Sequence, residues 1–69
     1  MISYVNLKKE MRRRHIFQKD VARVLGINDI VAIKKINAQI SFTWEEAERL
    51  QLELFPSLEI TYLFQIGSI

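Results

Sequence analysis

A chain of 69 residues holds one compact core, so 1–69 is predicted to be a single domain and a two-domain enzyme is excluded. It has no cysteine and one histidine, which excludes disulfides and thiolate metal sites, and its 49% hydrophobic residues with only two glycines and one proline indicate an ordered, helical domain. The net charge of +2 is unevenly placed, because residues 1–40 carry nine basic and three acidic groups (+6), whereas residues 41–69 carry one basic and five acidic groups (−4).

The first predicted helix is capped by Asn6, whose side chain can accept bonds from free backbone amides. Leu7 and Met11 are four residues apart, so they lie on its inner side. Three arginines, at positions 12–14, close the helix, where the helix dipole favours cations. The helix is therefore expected to stop near His15.

A second helix is predicted over residues 18–25, where Val21, Ala22 and Leu25 share one face at a period of 3.6. Gly26 follows the last of these residues. Glycine readily adopts a positive φ, so it lets the chain leave the helix and turn sharply. The second helix is therefore predicted to end at this glycine.

The third predicted helix is capped by Asn28 or Asp29 and reaches about residue 37. Ile33, Ile36 and Ile40 repeat at spacings of three and four, which predicts the buried face. The opposite, outward face is then predicted to hold Val31, Lys34, Lys35 and Ala38.

A capping box, Thr43 followed three residues later by Glu46, predicts the start of a fourth helix. Its inward stripe consists of apolar residues at helical spacing: Trp44, Ala47, Leu50 and Leu54. Pro56 ends this helix, and Ser57 offers the next cap. Residues 58–66 fit both a helical face and a period of two, and we predict a helical start that unwinds into an extended tail.

These elements together predict an all-α domain with one hydrophobic core. The predicted core residues are Leu7, Met11, Val21, Ala22, Leu25, Ile33, Ile36, Trp44, Ala47, Leu50, Leu54 and Leu58. No apolar run approaches the roughly 18 residues of a membrane span, and polar residues follow the N-terminus too closely for a signal peptide. A cytoplasmic protein without membrane association is expected.

One segment resembles a known family. Residues 18–27, with an opening glutamine, a valine-alanine pair and a leucine-glycine-isoleucine turn, resemble the helix-turn-helix core of the Cro and lambda-repressor-like (XRE-type) family. Leu7 matches a first-helix core position, and the fit covers about residues 7–64. The resemblance implies a compact five-helix lambda-repressor-like domain that binds the DNA major groove, usually as a homodimer on a two-fold site, in small regulators such as those of bacteriophages.

The sequence departs from the family pattern in four respects. Phe17 replaces the usual threonine cap, and His15 stands where glycine is common. The turn is predicted to be one residue longer, because Ile33 and Ile36 match the family's core positions only if Asn28 is an insertion. The predicted outward face of the third helix also lacks the Arg, Asn and Gln side chains that most often read base edges.

The resemblance implies a recognition element in the third helix and its cap. Its members are Asn28, Asp29, Ile30, Val31, Lys34 and Lys35. The expected phosphate contacts precede it: Arg12, Arg13, Arg14, Gln18, Lys19 and Arg23. Cations that neutralise phosphates release counterions and position a protein on double-stranded DNA, so the +6 half supports a DNA-binding transcription regulator of the repressor or Cro-like kind.

The alternative interpretation is an antirepressor or corepressor that uses the same fold to bind a partner repressor protein. It rests on the apolar start of the third helix and the apolar residues after Pro56, because a protein partner desolvates apolar area that DNA leaves wet. The contacts would be Ile30, Val31, Leu52, Tyr62, Phe64 and Ile66. No enzymatic activity or cofactor is expected, because the carboxylates of the fourth helix lack a companion histidine or thiol and no glycine-rich phosphate loop is present.

Overall fold

Five helices and one short strand pair make up the fold. The computed structural model describes residues 2–68, so the two ends of the predicted domain, positions 1 and 69, lie outside the described residues. The elements are β1 (Ile2–Ser3), α1 (Val5–Arg13), α2 (Gln18–Leu25), α3 (Asp29–Ile36), α4 (Trp44–Leu54), α5 (Ile60–Leu63) and β2 (Gly67–Ser68). The predicted all-α class is confirmed, with the addition that β1 and β2 pair antiparallel, Ser3 opposite Gly67.

The first helix starts earlier than predicted. Tyr4, not Asn6, is the N-cap, and Asn6 lies inside α1, where its side-chain amide donates to the Tyr62 carbonyl at 2.9 Å. The prediction is wrong because this amide has a tertiary acceptor that local spacing cannot reveal. The helix ends at Arg13, and His15 turns the chain with a φ of 56°. Glycine adopts this left-handed conformation without strain, whereas a histidine adopts it at some energetic cost.

The corner between α2 and α3 follows the predicted chemistry. Gly26 has a φ of 68°, and the Ile27 amide donates to the Ala22 carbonyl at 3.0 Å, which closes the end of α2. The Asn28 side chain accepts a bond from the Val31 amide at 2.8 Å and caps α3. The Phe17 side chain has no oxygen that could cap α2. The Phe17 amide donates to the Asp20 carboxylate at 2.9 Å.

The predicted burial of Ile33, on which the insertion at Asn28 depended, is wrong. Only residues 26–28 separate the two helices, and α3 turns Ala32 and Ile36 inward. The spacing of Ile33 and Ile36 predicts a buried Ile33, yet the fully buried residue is Ala32, four positions before Ile36. A small residue there allows α3 to lie close to α2.

The core lies between all five helices. The buried hydrophobic residues are Tyr4, Leu7, Met11, Val21, Ala22, Val24, Ala32, Ile36, Ala47, Leu50, Phe55 and Leu63. Leu25, Leu54 and Leu58 pack against it at half-burial. Trp44 is 64% exposed, contrary to prediction, because it lies about 60° from Ala47 on the helical wheel, at the edge of the buried stripe.

The chain end closes the core with aromatic contacts. The rings of Tyr4, Phe42 and Phe64 lie within 6.0 Å of one another, centroid to centroid. Glu59, rather than the predicted Ser57, precedes α5 as its cap residue. The expected helical start followed by an extended tail is confirmed. Within residues 2–68, no helix has the length and apolarity needed to cross a bilayer.

Candidate nucleic-acid interface

The outward face of α3 differs from the predicted one. The helix buries Ala32, Lys35 and Ile36, at spacings of three and four. Consequently Ile30 is 67% exposed and Ile33 is 41% exposed. Two polar residues share their side of the helix at the same spacings: Lys34 and Asn37.

Lys35 does not lie on the outward face, so its predicted place in the recognition element is wrong. It is 8% exposed, and its ammonium donates to the Glu46 carboxylate at 2.9 Å and to the Ser41 carbonyl at 3.3 Å. The same ammonium lies 5.9 Å from the centroid of the Phe42 ring. Because these groups satisfy its charge inside the fold, Lys35 is not available to a base or a phosphate.

Glu46 joins the start of α4 to the end of α3. Its carboxylate accepts the Thr43 amide at 3.0 Å, which completes the predicted capping box, as well as the Lys35 ammonium. Burial raises the pKa of Glu46, but the bonds from Thr43 and Lys35 outweigh it and hold this pKa below its usual range. The resulting ion pair links the buried side of α3 to the start of α4.

The start of α3 is open to solvent. Asn28, Asp29 and Ile30 are exposed, and Val31 is half-buried. The Asn28 side-chain oxygen accepts the Val31 amide, so it is already used in capping α3. Near the end of α3, the outward polar side chains are those of Lys34 and of Asn37, the residue that follows the helix. Asn37 is not among the predicted recognition residues. Its spacing of four from Ile33 and three from Lys34 is the sequence signal that places it on this side of the helix.

The six predicted phosphate contacts are all exposed: Arg12, Arg13, Arg14, Gln18, Lys19 and Arg23. Arg13 and Arg14 each lie 3.5 Å from the Glu10 carboxylate, and Arg23 lies 3.2 Å from Asp20. The Arg23–Asp20 pair is largely exposed and therefore weak, so the Arg23 guanidinium can turn toward another anion. The Glu10 carboxylate is buried, so Arg13 and Arg14 balance a charge inside the fold as well as facing solvent. Within residues 2–68, Arg12 and Lys19 form no ion pair.

The residues predicted for a partner surface are divided. Ile30, Leu52 and Ile66 are exposed. Tyr62 is half-buried, and its hydroxyl donates to the Glu10 carboxylate at 2.8 Å. Phe64 is half-buried in the aromatic cluster. Tyr62 and Phe64 therefore pack largely within this chain's own fold, which leaves only part of each side chain open to a partner.

Comparison with protein-family models, curated proteins and solved structures gives no match for this chain. The resemblance to the Cro and lambda-repressor-like family therefore rests on the sequence pattern alone.

Proposed function

We propose that the protein is a DNA-binding transcription regulator with a lambda-repressor-like helix-turn-helix, which inserts α3 into the major groove. The observation that supports this proposal is the corner at Gly26, which leaves the outward side of α3 and the first turn of α2 open together with exposed cations. Lys19 in α2 and Lys34 in α3 are both exposed. In this role the protein would act in the cytoplasm of a bacterial host, as phage-type regulators do.

The exposed groups divide into two kinds of contact. Lys19 and the arginines at 12–14 neutralise phosphates and position the domain, without reading sequence. Lys34 and Asn37 can donate to base edges in the major groove, and Ile30 can contact a thymine methyl group. Lys35 has no part in this surface. A single domain offers few base contacts, so a homodimer on a two-fold site would supply the remaining specificity.

The second candidate function is an antirepressor or corepressor that docks on a partner repressor. The specific observation that favours it is the exposure of two isoleucines, Ile30 and Ile33, on the outward side of α3. Apolar side chains of this size gain more from a protein partner, which removes them from water, than from a wet DNA groove.

Two opposite substitutions at Ile30 separate the candidates. DNA binding predicts that both variants lose the thymine-methyl contact and that Ile30→Asp binds duplex DNA much more weakly than Ile30→Lys, because aspartate repels the phosphates that lysine attracts. Docking on a repressor predicts that both variants lose the partner equally, because both remove the same apolar area. The measurements are duplex selection from a random pool at two salt concentrations and co-purification from a host that carries the cognate repressor.

If no duplex binds with salt-sensitive affinity, the DNA-binding proposal fails. If the wild-type chain alone selects a defined operator, the antirepressor proposal fails.

A further inference from the structure

Trp44 stands exposed between two grooves on the side of the fold formed by α4 and α5. It is the single tryptophan of the chain and is 64% exposed. The capping box of Thr43 and Glu46 orders the backbone at this first residue of α4. Large exposed aromatic side chains on ordered backbone are typical anchors of protein interfaces.

The two grooves differ in charge. One, of about 510 Å³, lies between α4 and the segment before α5, and its walls include Glu48 and Glu59. The other, of about 450 Å³, is lined by no charged residue and includes Phe64 and Ile66. Trp44 belongs to both walls, together with the start of α5. The surface thus offers an acidic groove and an apolar groove on either side of one indole ring.

The acidic groove has no cation of its own. Among residues 2–68, neither Glu48 nor Glu59 forms an ion pair, and the Glu59 carboxylate makes no capping bond to α5. The one basic residue of 41–69, Arg49, pairs with Glu53 at 4.0 Å. Two carboxylates beside an exposed tryptophan face are the chemistry that recognises an arginine or lysine side chain.

We propose that this surface, formed by Trp44 and its two grooves, binds a segment of a protein partner that combines a basic residue with a neighbouring apolar one. The cation lies over Trp44 between Glu48 and Glu59, and the apolar side chain enters the uncharged groove. Charge complementarity selects this occupant, because the −4 half of the chain repels nucleic acid and acidic proteins. The surface is separate from α3, so a regulator could hold DNA and this partner at once.

The test begins with random dodecapeptides displayed on phage and selected on the wild-type chain, with the Trp44→Ala variant as the counter-selection target. The best peptide is then synthesised and titrated while the emission of the single tryptophan is recorded. We expect selected peptides to carry Arg or Lys next to an aliphatic or aromatic residue, and binding to shift the emission to shorter wavelength.

Variants of the carboxylates make the test specific. Replacing Glu48 and Glu59 together by glutamine is expected to weaken the selected peptide about tenfold, as is replacing its basic residue by glutamine. Glu45→Gln is the matched control, because Glu45 lies in the same helix outside both grooves. This control should bind as the wild type does.

Three results would overturn the proposal. They are the absence of Trp44-dependent peptides, selected peptides without cations, and an emission shift that follows protein concentration without peptide. The last of these would make a second copy of the chain the occupant. None of these results depends on DNA, so a failure here is distinct from a failure of the proposed DNA binding.

Discussion

Lys35 and Glu46 should be energetically coupled. Removing the Glu46 charge should cost more unfolding free energy than removing the Lys35 charge. The Lys35 side chain is 10% exposed and the Glu46 side chain 22% exposed. Glu46→Gln removes the negative charge and leaves a nearly buried ammonium with the Ser41 carbonyl and a neutral amide. Loss of one charged partner from such a pair costs about 2 kcal/mol of unfolding free energy, since Glu46 keeps some contact with water.

The reverse substitution should cost less. Lys35→Met keeps a long apolar side chain beside Phe42, and the remaining carboxylate retains the Thr43 amide and partial exposure. We expect a cost below about 1 kcal/mol, because replacing buried ionic groups by packed apolar ones is often nearly neutral. In the Lys35→Met background, Glu46→Gln should cost only about 0.5 kcal/mol, since no buried charge is left unpaired.

Urea unfolding followed by circular dichroism at 222 nm, on the wild type, both single variants and the double variant, measures this coupling. The expected interaction energy is about 1.5 kcal/mol. Costs that add to within about 0.3 kcal/mol would refute the reasoning, because independent groups behave additively.

Three further predictions concern stability. Gly26→Ala should lower the unfolding free energy by about 1 kcal/mol in the same assay, because the left-handed φ of 68° is strained for alanine. The added Cβ meets no atom within 4 Å, so strain is the only cost. An unchanged midpoint would contradict the left-handed conformation at this corner. His15→Gly should stabilise by about 0.5 kcal/mol, because it relieves a φ of 56° at an exposed position, and a loss of stability would show that the imidazole makes a necessary contact. The Tyr62 hydroxyl bond lowers the pKa of Glu10 against the opposing effect of burial, so the stability it confers is complete above the carboxyl's unfolded pKa and is lost as the pH falls through the folded one. Tyr62→Phe should therefore lower the melting temperature at pH 7 and differ less from the wild type below about pH 4, and an equal difference at both pH values would contradict this linkage.

The helix boundaries near the corner and the start of α4 were predictable because they depend on local chemistry. Gly26, Asn28 and Thr43 each act on backbone groups within a few residues, so the sequence alone identifies them. The start of α1 was missed because Asn6 bonds to Tyr62, 56 residues away. Side-chain roles that depend on such distant partners are not encoded in local spacing.

The rotation of α3 was mispredicted for the same reason. By hydropathy Ile33 should be buried and Lys35 exposed, and the fold does the opposite because Glu46 supplies a buried partner for the ammonium. The exposure of the basic residues in α2 and at the end of α1 was predictable, since long charged side chains usually remain in water. The candidate interface therefore keeps its predicted helices and loses one of its two α3 lysines.

Neighbouring lysines with opposite environments provide the most direct test of the proposal that the outward side of α3 binds DNA. The measurement is the dependence of duplex affinity on salt concentration for the wild type, Lys34→Gln and Lys35→Met. We predict that Lys34→Gln lowers the slope of log affinity against log salt by up to about one, because the DNA-facing side of α3 loses its cation, while Lys35→Met leaves the slope unchanged. Equal effects of the two substitutions, or binding that is insensitive to both, would contradict the account.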